Sequence, residues 1–434
     1  MLYKRLPILF VLLILCHTGR AQFLMDLVDT TTEKGKGMLS ILKNFDNLRI
    51  SGYMQPQFQV AGARGINSYI SGDFPENVNN RFMLRRGRVR FDYIHFSKNA
   101  GPSVEFVFQF DGTERGVVIR DFWGRVLENR LEVFALTVGM FARPFSYELN
   151  LSSSDRESPE RGRMSQILTK TERDMGAMVS FEPRRKDHPL RFWKLDAGLF
   201  NGQGLAATAD FDSRKDFITR IFHKPQQVGR NVFLSGGLSY LNGGLIQNTT
   251  YVYTTKSDNQ LPRTEVDSSL KNKGKIAPRK YAGADVQLKF KHASGHTELR
   301  GEFVTGKQTS TADATETPPE LLRANEGYYI REFNGAYFYL LHNIFSPRHQ
   351  LALKYDWYDP NTKVSRKEIF EGTNGFTKAD VKFSTLGGGY IYYVNDNLKI
   401  TAWYDHVMNE RTSLPGFTTD ADDDVFTLRM QFRF

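Results

Sequence analysis

The stretch "VFTLRMQFRF" at 425–434 sets Phe426, Leu428, Met430, Phe432 and Phe434 against Thr427, Arg429, Gln431 and Arg433. "LRISGYMQPQFQV" at 48–60 does the same. Leu48, Ile50, Gly52, Met54, Phe58 and Val60 lie opposite Arg49, Ser51, Tyr53, Gln55, Gln57 and Gln59. Successive side chains of a strand point to opposite faces, so alternation over ten or more residues specifies a strand with one apolar and one polar face. Read this way, the chain holds sixteen strands: 47–60, 82–96, 103–111, 116–126, 131–142, 174–182, 190–200, 216–222, 230–242, 279–292, 295–304, 327–341, 349–358, 382–394, 397–408 and 423–434.

The connections alternate in length as well. Those after even-numbered strands are short, such as "SKNAGPS", "PRRKDHP", "ASG" and "ND". Those after odd-numbered strands are long, at 61–81, 143–173, 243–278, 305–326, 359–381 and 409–422, with 112–115 the one short exception. Stacked β-sandwiches have no reason to alternate so regularly. An all-β, transmembrane antiparallel barrel does, with short periplasmic turns at one rim and long extracellular loops at the other.

The leading residues give an address. Lys4 and Arg5 precede an apolar run at 6–15, and Gly19-Arg20-Ala21 follows with small residues at −3 and −1. That pattern is a secretory signal peptide, 1–21, with cleavage expected after Ala21. The run is too short for a membrane helix, which needs roughly 20 residues. Leu15 before Cys16 is too large for a lipoprotein cleavage site. Cys16 is the only cysteine, so the mature chain has no disulfide and no thiolate metal site. Losing Lys4, Arg5 and Arg20 takes the formal charge from +10 to +7, too mild to argue for nucleic acid. Aromatics make up 13% of a chain that is polar on average and has no helix-length apolar stretch. A barrel reconciles these, because lipid-facing and lumen-facing residues cancel in any hydropathy window. Residues 22–46 form an N-terminal periplasmic lead segment before the barrel at 47–434. Met38, Ile41, Leu42 and Phe45 have helical spacing there, while Gly35 and Gly37 confine any helix to the second half.

"NRFMLRRGRVRFDYIHF" at 80–96 places Arg86, Arg88 and Arg90 on one parity and Gly87, Val89, Phe91 and Tyr93 on the other. An arginine facing lipid at mid-bilayer costs about 2–4 kcal/mol, so these three belong in the lumen. Strand rise spaces them about 6–7 Å apart, as a ladder. Arg85 has the outward parity, near the outer rim, where it can snorkel. Parity also puts Arg49, Arg125, Lys194, Arg220, Lys289, Lys291, Arg300, Lys354, Lys399, Arg429 and Arg433 inside. The acidic set is Asp92, Glu105, Asp111, Asp121, Asp196, Asp285, Glu298, Glu302, Asp356 and Asp405. Fourteen bases face ten acids, a surplus that attracts anions. The chief pore-lining candidates are Arg86, Arg88, Arg90, Arg220, Lys354, Arg429 and Arg433. Lumen arginines that pair with carboxylates and brace the wall are the plainer reading.

"FMLRRGRVRF", "VGMFARPFSYE", "SPERGRM", "RDMGAMVSF", "ALKYDWYDP" and "LRMQFRF" resemble the phosphate-selective porin O and P family of outer-membrane channels. The most specific part is the series Gly139, Phe141, Pro144, Phe145, Glu148, Glu160 and Arg161. The resemblance implies a sixteen-stranded barrel, a homotrimer, and a third extracellular loop folded inward to narrow the pore. Here that loop is 143–173, with Arg143, Arg156, Arg161 and Arg163 as constriction residues and Asp155, Glu157 and Glu160 to offset them. Where the family has lysine in a "GQFK" pattern, this chain has Ala142 followed by Arg143. Phe434, closing an alternating aromatic strand, resembles the signal read by the outer-membrane barrel assembly machinery.

The expected function is a water-filled outer-membrane pore for passive diffusion of small anions, with phosphate one of them. The alternatives are a weakly selective general porin, or a barrel serving adhesion or as a scaffold. No cofactor is expected and no nucleic-acid partner. Enzyme chemistry is not expected, because no serine sits in a nucleophile context. His292 and His296 lack a carboxylate partner for a metal, and "DADDD" at 420–424 reads as a solvated acidic loop, so no metal site is assigned.

Overall fold

The computed structural model describes residues 47–97, 101–207, 209–257, 261–370, 372 and 374–434. The cleavage site at Ala21 and the lead segment lie outside the described residues. Alternating segments form strands β1 (Leu48–Ala61), β2 (Asn80–Ser97), β3 (Gly101–Thr113), β4 (Gly116–Leu127), β5 (Phe134–Ala142), β6 (Arg173–Phe181), β7 (Trp193–Phe200), β8 (Asp216–Gly229) and β9 (Val232–Ile246). A hairpin of β10 (Tyr251–Lys256) and β11 (Arg263–Asp267) follows. The rest are β12 (Ile276–His292), β13 (Gly295–Ser310), β14 (Gly327–Ile344), β15 (His349–Asp359), β16 (Phe383–Tyr393), β17 (Leu398–Asn409) and β18 (Val425–Arg433).

Every expected strand forms. Leaving the hairpin aside, sixteen antiparallel strands run as a meander, β9 pairing β12 from Ile246↔Ile276 onward. β18 pairs back onto β1 from Tyr53↔Arg433 to Ala61↔Val425, which closes the barrel and removes both sheet edges. The alternation maps onto the two faces. On β18, Phe426, Leu428, Met430 and Phe432 are exposed to the outside, whereas Thr427, Arg429 and Gln431 are buried. The hairpin in the longest outer loop is a feature the alternation did not disclose. β10 runs parallel to the outer end of β14 (Tyr251↔Gly327 to Thr254↔Ile330), with Tyr253 stacked on Tyr329 at 4.4 Å.

The segment 143–172 between β5 and β6 does not stay at the rim. It carries two short helices, α1 (Tyr147–Asn150) and α2 (Arg163–Leu168), and packs against wall side chains of β1, β2, β13, β14, β15, β17 and β18. Strands on opposite sides of the barrel can share one segment only if it crosses the bore. Its apolar side is held by Phe145, Leu149, Met164, Ile167 and Leu168, in a cluster with Phe200, Ile218, Leu241, Tyr281, Val304, Phe333 and Tyr358 from the wall. Gly335 makes room for that contact: a Cβ there would lie 2.8 Å from Met164 Sδ. Gly139 has φ +126°, and its Cβ would meet the Phe122 carbonyl at 2.4 Å, so only glycine fits where β5 turns toward the loop.

Candidate functional site

Glu160 is the hub of the crossing. Its carboxylate accepts from Arg86 Nη2 at 2.7 Å, Arg85 Nε at 2.9 Å, Arg429 Nη2 at 3.0 Å and Ser71 Oγ at 3.0 Å. Arg429 also donates to the Pro159 carbonyl at 2.6 Å and to Gln57 Oε1 at 2.7 Å. One strand cannot present two consecutive side chains to one carboxylate while keeping regular alternation. Arg85 therefore does not snorkel at the rim, as its parity suggests; the backbone shifts and brings it inside beside Arg86.

The remaining rungs of the ladder are paired too. Arg88 Nε meets Asp111 at 2.9 Å and Arg88 Nη1 donates to Ser153 Oγ at 3.0 Å. Arg90 folds onto Asp92 at 2.6 Å, two residues along its own strand. Three arginines that would repel one another are thus each matched, and two of them also pin the crossing segment.

A second knot lies beside the first. Glu172 takes Arg120 and Arg161, with Arg173 at 3.5 Å, and Arg173 spans to Asp121 at 3.0 Å. Arg120 faces inward because of a β-bulge: Gln109 opposes Asp121 and Phe110 opposes Ile119, so Arg120 is the extra residue. No periodicity reports such a bulge, so parity missed Arg120. The crowded charges of "TERD" at the loop's return were the available signal for Glu172 and Arg173. Arg161 also donates to the Glu148 carbonyl at 3.0 Å, while the Glu148 carboxylate accepts from Gly162 N at 3.0 Å.

The other expected residues spread along the bore. Lys354 pairs with Asp356 at 2.8 Å. Arg163 lies over the rings of Phe383 and Tyr69, at 3.6 and 4.7 Å. With Glu160, Arg161, Asp405 and Asp423 they enclose a cavity of about 20 Å³, room for little more than one water. Arg143 is buried against the Thr171 carbonyl and Asp174, below the loop's base. Arg220 pairs with Asp285 at 2.6 Å and borders a 370 Å³ cavity with Lys194 and Lys224. Arg433 is half exposed, donates to the Asp396 carbonyl at 2.6 Å, and borders a 500 Å³ cavity with Lys399 and Arg348. Phe434 joins the seam by mutual backbone hydrogen bonds with Gly52, 3.0 and 3.2 Å.

The barrel is closed and sixteen-stranded, its third outer connection runs inward, and residues 127–434 match the family described as phosphate-selective porin O and P. The chain belongs to that family. No curated protein sequence matches it. Among solved structures, a loop-deletion mutant of OmpT, an outer membrane protein of Vibrio cholerae, aligns at 8% identity with a TM-score of 0.50. The alignment covers 89% of this chain and 99% of that one. In-vitro folded OmpT in its trimer form aligns at 9% identity and TM-score 0.49, over the same shares. A triple mutant of Rhodopseudomonas blastica porin gives 10% and 0.46, over 89% and 100%. At such identities only the fold is at issue, and the first of the three carries it.

One arginine of this porin stands apart from the pairing pattern. Arg156 is 3% exposed, and none of its three guanidinium nitrogens has a partner among the described residues. It lies in the field of Arg86, Glu160 and Glu148, and its own carbonyl accepts from Lys399 Nζ at 3.1 Å. Around the crossing, Arg85, Arg86 and Arg429 converge on Glu160, and Arg120 and Arg161 on Glu172, so five guanidiniums meet two carboxylates there.

Proposed function

We propose that this porin passes small anions by passive diffusion, with Arg156 as the group that a passing anion neutralises. The observation that carries this reading is the buried, unpaired Arg156 guanidinium amid a local arginine surplus. A buried charge without a partner costs several kcal/mol, and a transient anion offsets that cost. Arg86, Arg88, Arg90, Arg161 and Arg429 then hold the crossing segment in place rather than touching every ion. Arg220 and Arg433 bias the wider approaches, and Lys354 lies at the narrow part beside Glu160 and Arg161. Phosphate is one such anion, although Ala142 removes a basic residue from the family pattern. A second reading, weak selectivity, is favoured by the carboxylate partners of all three ladder arginines. The working unit is a homotrimer in the outer membrane, delivered after cleavage at Ala21 and inserted through recognition of Phe434.

Planar-bilayer conductance in a KCl gradient tests the reading. The parent protein should show an anion-selective reversal potential. Arg156→Gln should move it toward cations, by more than Arg90→Gln does. Cation selectivity in the parent would falsify the proposal, and an unchanged potential in Arg156→Gln would return the site to the weakly selective reading. Phosphate that blocks chloride current distinguishes a phosphate site from a general anion path.

A further inference from the structure

On the outer wall, the ring of Phe338 lies over Gly301 on β13, where a Cβ would meet it at 2.9 Å, and an apolar groove runs beside that contact. Leu234, Val286, Leu299, Phe338, Leu340 and Leu353 surround a groove of about 530 Å³, lined almost wholly by apolar atoms. All six are exposed on the lipid-facing side. The registers Leu299↔Leu340 and Leu340↔Leu353 put the groove floor on one cross-strand row.

The next outward row toward the short-turn rim carries polar groups at its centre. Thr297 lies opposite His342, and Thr297 Oγ1 is 2.8 Å from His342 Nδ1 and 3.2 Å from His292 Nε2. The two rings lie 5.2 Å apart, both exposed, and each uses one nitrogen on Thr297 and turns the other toward the surroundings. Beside them, His349 Nδ1 meets Tyr390 Oη at 2.6 Å and its ring packs on Tyr392. On the outward rows that join these positions, Phe290–Thr297–His342–Leu351–Tyr390 and Ile344–His349–Tyr392, no residue is acidic.

We infer that this wall seats one glycerophospholipid, with an acyl chain in the groove at Gly301 and its phosphodiester at His292, Thr297 and His342. The two parts are stacked in the order a lipid needs, tail toward mid-membrane and head at the rim. Two imidazoles sharing one hydroxyl between them are donors suited to phosphate oxygens, and the absence of carboxylates in these rows leaves nothing to repel the phosphate. The inference rests on the barrel's place in a membrane and not on the ion it passes.

The test is native mass spectrometry of the detergent-folded full chain, with dioleoylphosphatidylethanolamine or dioleoylglycerol added. The pair shares its tails and differs in the phosphate. The parent should retain about one phospholipid per chain and hold diacylglycerol about tenfold less well, the effect of one or two charge-assisted hydrogen bonds. His292→Gln with His342→Gln should bring phospholipid down to the diacylglycerol level. Val286→Trp, on the lipid face where it leaves the bore untouched, should displace both lipids; unchanged conductance verifies that each variant is folded. Equal retention of the two lipids by the parent, or no retention, overturns the proposal. So does a change in chains per particle without a change in lipid in Val286→Trp, which would make the groove a contact between copies.

Discussion

Glu160 is a single carboxylate serving three arginines from β2 and β18, and removing its charge acts on two observables at once. Truncating one side of a buried charge network costs about 3–5 kcal/mol, and here that loss falls on the docking of the crossing segment. Glu160→Gln should therefore raise open-channel current noise and shift the reversal potential further toward anions. An unchanged potential would show that Glu160 lies off the ion path. Asp423, in the outer loop at 410–424, has the opposite character. Burial pushes its carboxyl up to about 6, with Asp420 and Asp424 adding to the rise and Arg163 opposing it. Its unfolded value is about 3.9, so between about pH 4 and 6 the folded state binds more protons than the unfolded. Its contribution is then most favourable below about pH 4, falls as pH rises to about 6, and stays flat above. Asp423→Asn should remove that slope and raise stability at pH 7.5 by on the order of 1–2 kcal/mol, less solvent screening, read as the parent-to-variant difference in urea midpoints at pH 4.5 and 7.5.

At the scale of elements, the crossing segment behaves as a small domain with an apolar core inside a polar lumen. Met164 is 2% exposed and sits against Gly335. Met164→Ala should cost about 2–5 kcal/mol of local docking, seen as a lower melting temperature of the segment and more frequent current fluctuations, while barrel secondary structure persists. The strands that frame this element are legible from alternation, because each meets lipid on one face and polar groups on the other, and the penalty for a register slip is large. β10 and β11 are not legible in the same way. The six residues of Tyr251–Lys256 are stabilised by pairing with β14 and by the Tyr253–Tyr329 stack, and the five of Arg263–Asp267 by pairing with β10, contacts that no local pattern reports. The inward position of Arg120 was hidden for a related reason. A bulge changes which face a residue occupies without changing the residues around it.

For the molecule as a whole, parity counts the lumen charges but does not report how they are distributed. A count of fourteen bases against ten acids describes a diffuse field, whereas the crossing gathers five arginines on Glu160 and Glu172 beside Arg156. The wall arginines act mostly through segment 143–172, so a mutation in the wall and one in the loop should not be additive. The β1–β18 seam has a further consequence. Gln55 on β1 donates to Gln431 on β18, 376 positions further along the chain. Until that contact forms, both ends of the sheet are open templates for strands of other molecules, and the entropy of bringing them together is lost before any seam bond repays it. Closure of the seam is then the slow, concentration-sensitive step of biogenesis, and any factor that shields one open edge shortens the time this chain spends at risk of aggregation.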